Sequence, residues 1–177
     1  MIDFHHFWQI HAPIIIILIP ALTSFLLLLL GNPGSGYLKQ DWRQPWRRGI
    51  SLSSAILGLL TAISYLALAN TGQITVYQLS EWSAPFGIVL VLDRLSAFML
   101  LLTYVLAVPI IWYASDHWDT RGRYFHTMFH FLLMGLTGAF LTGDLFNLFV
   151  FFDILLMASY VLLLHGQGRP RFQLGIH

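Results

Sequence analysis

The sequence predicts an all-α polytopic membrane protein, and three observations carry that prediction. Hydrophobic residues make up 57% of the 177 residues and charged residues only 10%, with a mean hydropathy of +0.71. The apolar residues fall in unbroken runs long enough to cross a hydrocarbon layer of about 30 Å. The basic residues gather between alternate runs, as the asymmetry of membrane loops requires. A soluble domain of this length would need polar residues to cover its surface, and the runs leave too few.

The first helix is predicted from about Ala12 to Leu30, ending at Gly31-Asn32-Pro33-Gly34. Met1 to His11 lacks a basic leader region and no small-residue cleavage pattern follows the run, so it reads as a retained helix. His5, His6 and His11 read as an interfacial N-terminus. The segment Ser35 to Gly49 holds Lys39, Arg43, Arg47 and Arg48 with Trp42 and Trp46, a basic loop with interfacial aromatics that is expected to face the cytoplasm.

A second helix is expected over about Ile50 to Ala69 and a third over about Arg94 to Ala114. Between them Ile74 to Leu79 alternates and Phe86 to Leu92 is apolar, with Ser83-Ala84-Pro85 in the middle, which predicts a short periplasmic hairpin. After the polar turn Ser115 to Arg123, a fourth helix covers about Tyr124 to Thr142. A fifth covers about Leu145 to Leu164, and the minimal Gly143-Asp144 break makes the last two antiparallel neighbours.

Alternating the sides puts Lys39, Arg43, Arg47, Arg48, Arg121, Arg123, Arg169 and Arg171 on one face and Arg94 on the other. The N-terminus is thereby expected outside and the C-terminus inside the cytoplasmic membrane. Residues 1–177 read as one membrane domain, and the apolar tail Phe172 to Ile176 resembles the start of a sixth helix, as though the chain stopped mid-architecture. The net charge of +1 comes with no basic stripe, which sets nucleic-acid binding aside. The absence of cysteine excludes disulfides, thiol chemistry and Cys-based metal centres.

Asp153 stands out chemically. It lies about 12 Å along the fifth helix, between Phe149-Val150-Phe151-Phe152 and Ile154-Leu155-Leu156. An ionised aspartate near the midplane costs roughly 2.5 to 3.5 kcal/mol on insertion scales. It is therefore expected to face the protein interior or a wet cavity, or to be protonated. Desolvation raises a carboxyl pKa and a cationic partner lowers it, so a carboxyl held between the two can load and release a proton. The bland alternative is a hydrogen bond to a neighbouring helix. No lysine lies within these five helices to act as its counter-charge.

Asp144 and Asn147 open the fifth helix, where capping free backbone N–H groups is the expected role. At about 100° per residue Asp144 falls on the face opposite Asp153. His126 and His130 have the i, i+4 spacing of a metal-binding pair, but two imidazoles without a third ligand make a poor site, and no metal or cofactor is expected. His130 suits a proton relay or, equally, simple packing. Gly135, Ala139 and Gly143 recur every four residues and predict close helix packing. Pro20 and Pro109 predict bends. No phosphate-binding loop or catalytic triad is present.

The run Gly138-Ala139-Phe140-Leu141-Thr142-Gly143-Asp144-Leu145-Phe146-Asn147-Leu148-Phe149-Val150-Phe151-Phe152-Asp153-Ile154-Leu155-Leu156 resembles the fourth and fifth helices of the D subunits of the Mrp/Pha multisubunit cation/proton antiporters. Trp82-Ser83-Ala84-Pro85-Phe86-Gly87-Ile88 and Leu92-Asp93-Arg94-Leu95-Ser96 look like that family's hairpin and its entry to the third helix. Members of the family are much longer and are similar to the antiporter-like proton-pumping subunits of respiratory complex I, so this sequence would supply their first helices. The resemblance implies exchange of H+ for Na+ or K+ across the cytoplasmic membrane, as one subunit of a hetero-oligomer. It implies a proton-translocating role for Asp153, at a position where the family carries glutamate working with lysines on later helices. His130, Asn147 and Asp144 would be supporting residues. The alternatives are a membrane subunit of a complex I-like or hydrogenase-linked proton pump, and a truncated remnant without transport of its own.

Overall fold

The computed structural model describes residues 4–31, 44–72, 74–78, 88–121 and 124–165. Its elements are α1 (Phe4–Leu29), α2 (Gln44–Asn70), β1 (Thr75–Gln78), β2 (Val89–Leu92), α3 (Arg94–Ala114), α4 (Phe125–Leu141) and α5 (Leu145–Leu163). Four of the helices are long and apolar enough to cross a membrane; α4, with 17 residues, is apolar and shorter.

Two helices begin earlier than their apolar runs. α1 starts at Phe4 and α2 at Gln44, so Trp46, Arg47 and Arg48, expected in a loop, form the first turns of α2. Hydropathy marks the part of a helix that meets lipid, whereas backbone hydrogen bonds continue into the polar interface. Pro45 suits such a first turn, where its missing N–H has no partner to lose. Of the basic residues, Arg47, Arg48 and Arg121 sit at one end of the bundle and Arg94 at the other. Lys39, Arg43, Arg123, Arg169 and Arg171 lie outside the described residues, as does the apolar tail Phe172 to Ile176.

α4 is the hub, packed against α5 and α1 and more lightly against α3 and α2, while α2 and α3 pair closely with each other. A Cβ on Gly58 would fall inside the ring of Tyr104, so glycine there lets α3 seat its tyrosine against α2. The Tyr104 hydroxyl donates to the Ile16 carbonyl at 3.4 Å, and Thr23 Oγ1 donates to Ser54 Oγ at 2.7 Å, tying α1 to both neighbours.

Small residues bring α4 against α5, but not in the predicted register. A Cβ on Gly135 would lie 2.9 Å from the Phe151 carbonyl oxygen and the Leu155 nitrogen, and one on Gly138 would enter the Phe151 ring. Gly143 is past the end of α4 and faces Val91 instead. The seam therefore runs through Gly135 and Gly138, an i, i+3 row.

The hairpin pairs β1 with β2 antiparallel, Thr75 opposite Leu92 and Gln78 opposite Val89; residues 79–87 of the predicted connection lie outside the described residues. Leu90 and Leu92 are buried, and the rings of Tyr77 and His11 meet edge to face at 5.4 Å. The Gly143 N–H donates to the Val89 carbonyl at 2.8 Å and Leu90 bridges Thr142, so the hairpin sits on the α4–α5 turn. Asp93 caps α3, its Oδ1 accepting from Ser96 N and Ser96 Oγ at 2.7 Å each. Arg94 donates to the Ala69 and Asn70 carbonyls, satisfying the end of α2.

Candidate functional site

Asp153 lies mid-helix on α5 and is exposed. Phe149, Val150, Phe152, Leu156 and Met157 around it are exposed as well, and Asn147 and Ala158 are the only buried residues of α5. Phe151 and Leu155 meet Gly135 across the seam, which puts Asp153 at the level of Gly135 on the side of α5 turned away from the other described helices. Among the described residues it enters neither of the ion pairs. The sequence expectation was that it faces the protein interior or a wet cavity, or is protonated; the described helices do not enclose it. The seam consumes the glycine-facing side of α5, and the carboxyl is left on the other.

Asp144 is the N-cap of α5, accepting from Phe146 N at 3.3 Å through Oδ1 and from Asn147 N at 3.1 Å through Oδ2. This satisfies two of the free N–H groups and places a negative charge at the positive end of the helix. The Asn147 side chain is buried and its Nδ2 has no hydrogen-bond partner among the described residues. Asp144 and Asn147 thus meet through a cap, about two turns from Asp153.

His130 joins a different group, one built at the end of the bundle where α2 begins and α3 turns into α4. The turn that makes it starts at Ser115, and the Asp119 N–H donates back to the Ala114 carbonyl at 3.0 Å. Tyr124 then adopts a left-handed conformation, φ 62°, at the entry to α4. The Asp119 carboxylate, 1% exposed, receives Arg48 through Nε on Oδ2 and Nη2 on Oδ1, both at 2.7 Å. Gln44 Nε2 and His126 Nε2 each reach Oδ2 at 3.2 Å. Burial works to raise this carboxyl's pKa, but the hydrogen bonds from His126, Arg48 and Gln44 outweigh it and hold the group well below the usual carboxylate range.

The chain of contacts continues inward. His126 Nδ1 lies 3.0 Å from Ser51 Oγ, and Ser51 Oγ lies 3.0 Å from His130 Nε2. Ser51 and His130 are both fully buried, and His130 Nδ1 has no hydrogen-bond partner among the described residues. The two histidines thus share a serine. Among the described residues no group of three or more histidines and acids could hold a metal ion.

Sequence reasoning singled out His126 and His130 from their spacing but missed Asp119, Arg48, Gln44 and Ser51. The pairs that join α2 to this group are 71 to 79 residues apart along the chain, so no local pattern announces them. The available signal was Asp119 itself, an acid in the short turn next to the two histidines.

No protein-family model matches the sequence. The chain is 45% identical over 173 residues, 96% of its length, to a protein of Rhizobium meliloti described as the probable D subunit of a K(+)/H(+) antiporter, of which it covers 31%. It is 44% identical over 115 residues, 63% of its length, to the D subunit of the Na(+)/H(+) antiporter of Alkalihalophilus pseudofirmus, of which it covers 23%. Its fold matches a chain of the Mrp complex from a Dietzia species with a TM-score of 0.77 and 25% identity, covering 89% of this chain and 27% of that one. The chain thus spans about a third or less of the length of these curated relatives.

Proposed function

From its kinship in sequence and fold with the D subunits of the Mrp-type cation/proton antiporters, we propose that this chain is the helical portion of such a subunit that carries one carboxyl of the proton path. The subunit works with other subunits in the cytoplasmic membrane and exchanges H+ for Na+ or K+. The observation that carries the reading is Asp153, a carboxyl at mid-helix on the uncovered face of α5. A charge at that depth requires a partner or a wet cavity. The described helices supply neither, so this face is where further helices of the protein, and a cationic group on them, come to lie.

Asp153 loads and releases the proton as that cationic partner approaches and withdraws. Asp144 and Asn147 support it by fixing the start of α5, and His130 by holding α4 to α2. The N-terminus lies outside and the C-terminus inside, a reading supported by Arg47, Arg48 and Arg121 at one end of the bundle against Arg94 at the other. The chain has no cysteine, so single cysteines placed at Thr71 and Thr120 test the orientation with an impermeant thiol reagent: Thr71→Cys is labelled from outside in intact cells and Thr120→Cys only after the membrane is opened.

The functional test uses the full-length protein assembled with its partner subunits in everted vesicles. Asp153→Asn lowers cation-dependent proton flux by about a hundredfold, within the range for loss of a group that carries a proton, while Asp153→Glu retains it. Unchanged flux in Asp153→Asn would remove the residue from the proton path.

A further inference from the structure

The hydrogen bonds from Asp119 to His130 have a direction, and Asp119 sets it. An ionised carboxylate only accepts, so His126 Nε2 must donate to Asp119 Oδ2 across their 3.2 Å contact. A neutral His126 then has a lone pair at Nδ1, which accepts the Ser51 hydroxyl proton at 3.0 Å. The Ser51 oxygen in turn accepts from His130 Nε2, also at 3.0 Å. This leaves His130 Nδ1 as a bare acceptor, and it is a buried atom without a partner among the described residues. Every donor in the string points toward Asp119.

Such a string conducts. A proton arriving at His130 Nδ1 sends the Nε2 proton to Ser51 Oγ, the Ser51 proton to His126 Nδ1, and the His126 Nε2 proton to the Asp119 carboxylate. Within the string three bonds to hydrogen break as their replacements form, and the proton gained at His130 is balanced when Asp119 gives one up at the Arg48 edge. The string is then inverted, with both histidines protonated at Nδ1. From that state a proton passed to His126 Nε2 from Asp119 runs the sequence in reverse: His126 Nδ1 donates to Ser51, Ser51 donates to His130 Nε2, and His130 releases its Nδ1 proton, which restores the first orientation. Arg48, whose side chain is 32% exposed, marks the solvent edge, and fully buried His130 the inner one.

We propose that Asp119, His126, Ser51 and His130 form a proton relay between the membrane face bearing the α3–α4 turn and the interior of the helix bundle. It rests on the proton-coupled reading above and adds to it a path separate from Asp153. His130 is five residues from Gly135, the residue level with Asp153, so the relay ends roughly 7.5 Å along the bundle axis from that level. The ionisable groups around the relay are Arg48 and the buried Arg47 from α2, Asp116 from the α3–α4 turn, whose charge acts on Arg48, and His165 from the end of α5. The His165 ring packs against Phe125 with centroids 5.1 Å apart and donates to the Trp118 carbonyl. Arg48 keeps Asp119 ionised and so keeps the string oriented.

Ser51 offers the cleanest test, since replacing it breaks the path without removing a titratable group. In the full-length protein assembled in vesicles, Ser51→Ala lowers cation-dependent proton flux about tenfold or more, and Ser51→Thr, which restores the hydroxyl, recovers most of it. Equal losses in both variants with normal assembly would make Ser51 a packing residue and overturn the relay. The second readout does not depend on antiport. In wild-type complex labelled with 15N-histidine, the nitrogen shifts and couplings show both His126 and His130 protonated at Nε2, and Ser51→Ala, which removes the acceptor of His130 Nε2, changes the His130 signals. An Nδ1-protonated neutral ring at either histidine in the resting wild type overturns the relay, whether or not flux is seen or Ser51→Ala assembles. Absence of flux in the wild type with both rings protonated at Nε2 would defeat the antiport reading and leave the relay standing.

Discussion

Two aspartates in this molecule are treated in opposite ways. Asp119 sits in a turn at the bundle end yet is closed in, receiving Arg48, Gln44 and His126 within 3.2 Å. Asp153 sits in the middle of a membrane helix yet is open, with apolar side chains around it and none of the described ion pairs. Burying a charge is tolerated when its hydrogen bonds are supplied. Among the described residues the five helices supply them for Asp119 and supply none for Asp153.

The largest break in that contrast comes from Asp119→Ala. It strands Arg48 and leaves His126 and Gln44 without their acceptor, and should cost about 3 kcal/mol, the low end for a broken buried pair because Arg48 is partly exposed. Resistance to unfolding by detergent measures it. The same network gives a pH signature. The folded carboxyl is held below its ordinary value, so its contribution is complete above about pH 4 and fades as pH falls below that. Unfolding curves for wild type and Asp119→Asn should therefore converge in acid; parallel curves would mean that Asp119 is not ionised in the folded protein.

Gly135→Val tests the seam that turns Asp153 outward. Its side chain would press on the α5 backbone, and a loss of about 2 kcal/mol, typical of overpacking, is expected in the same assay. Asp144→Ala removes the α5 cap and should cost about 1 kcal/mol. Asp153→Leu sharpens the comparison from the other side. On the face of α5 turned away from the described helices, it should change the packing of α1 to α5 by less than about 0.5 kcal/mol, seen as unaltered protease protection of the α4–α5 pair. A large loss would make Asp153 a structural residue like Asp119.

The helices were legible where lipid dictates composition. The middle of each span is an apolar run, and Asp93 and Asp144 announce the starts of α3 and α5 because capping is a local event. The first turns of α1 and α2 stayed hidden, since they are helical but polar. So did the row of small residues that forms the α4–α5 seam: Gly135, Gly138, Ala139 and Gly143 offer competing spacings, and only the crossing of the two helices selects among them. The conspicuous residue Asp153 was readable because its cost is set by depth alone. Ser51 was not, because a serine in a helix means nothing until two histidines from another helix arrive on either side of it.

The hairpin resting on the α4–α5 turn has a mechanical consequence. Through Gly143 and Thr142 it fixes the near end of α5 to β2, while the far end is held by the contacts of its last turn. Were the far contacts and the α4 seam released, the hairpin would be the fulcrum on which α5 turns. Asp153 lies about 12 Å from that fulcrum and Leu163 about 27 Å, so a swing of the helix carries the carboxyl less than half as far as the tip. A movement of about 4 Å at the membrane face would be geared down to less than about 2 Å at the charge, a step on the scale that makes or breaks a single hydrogen bond.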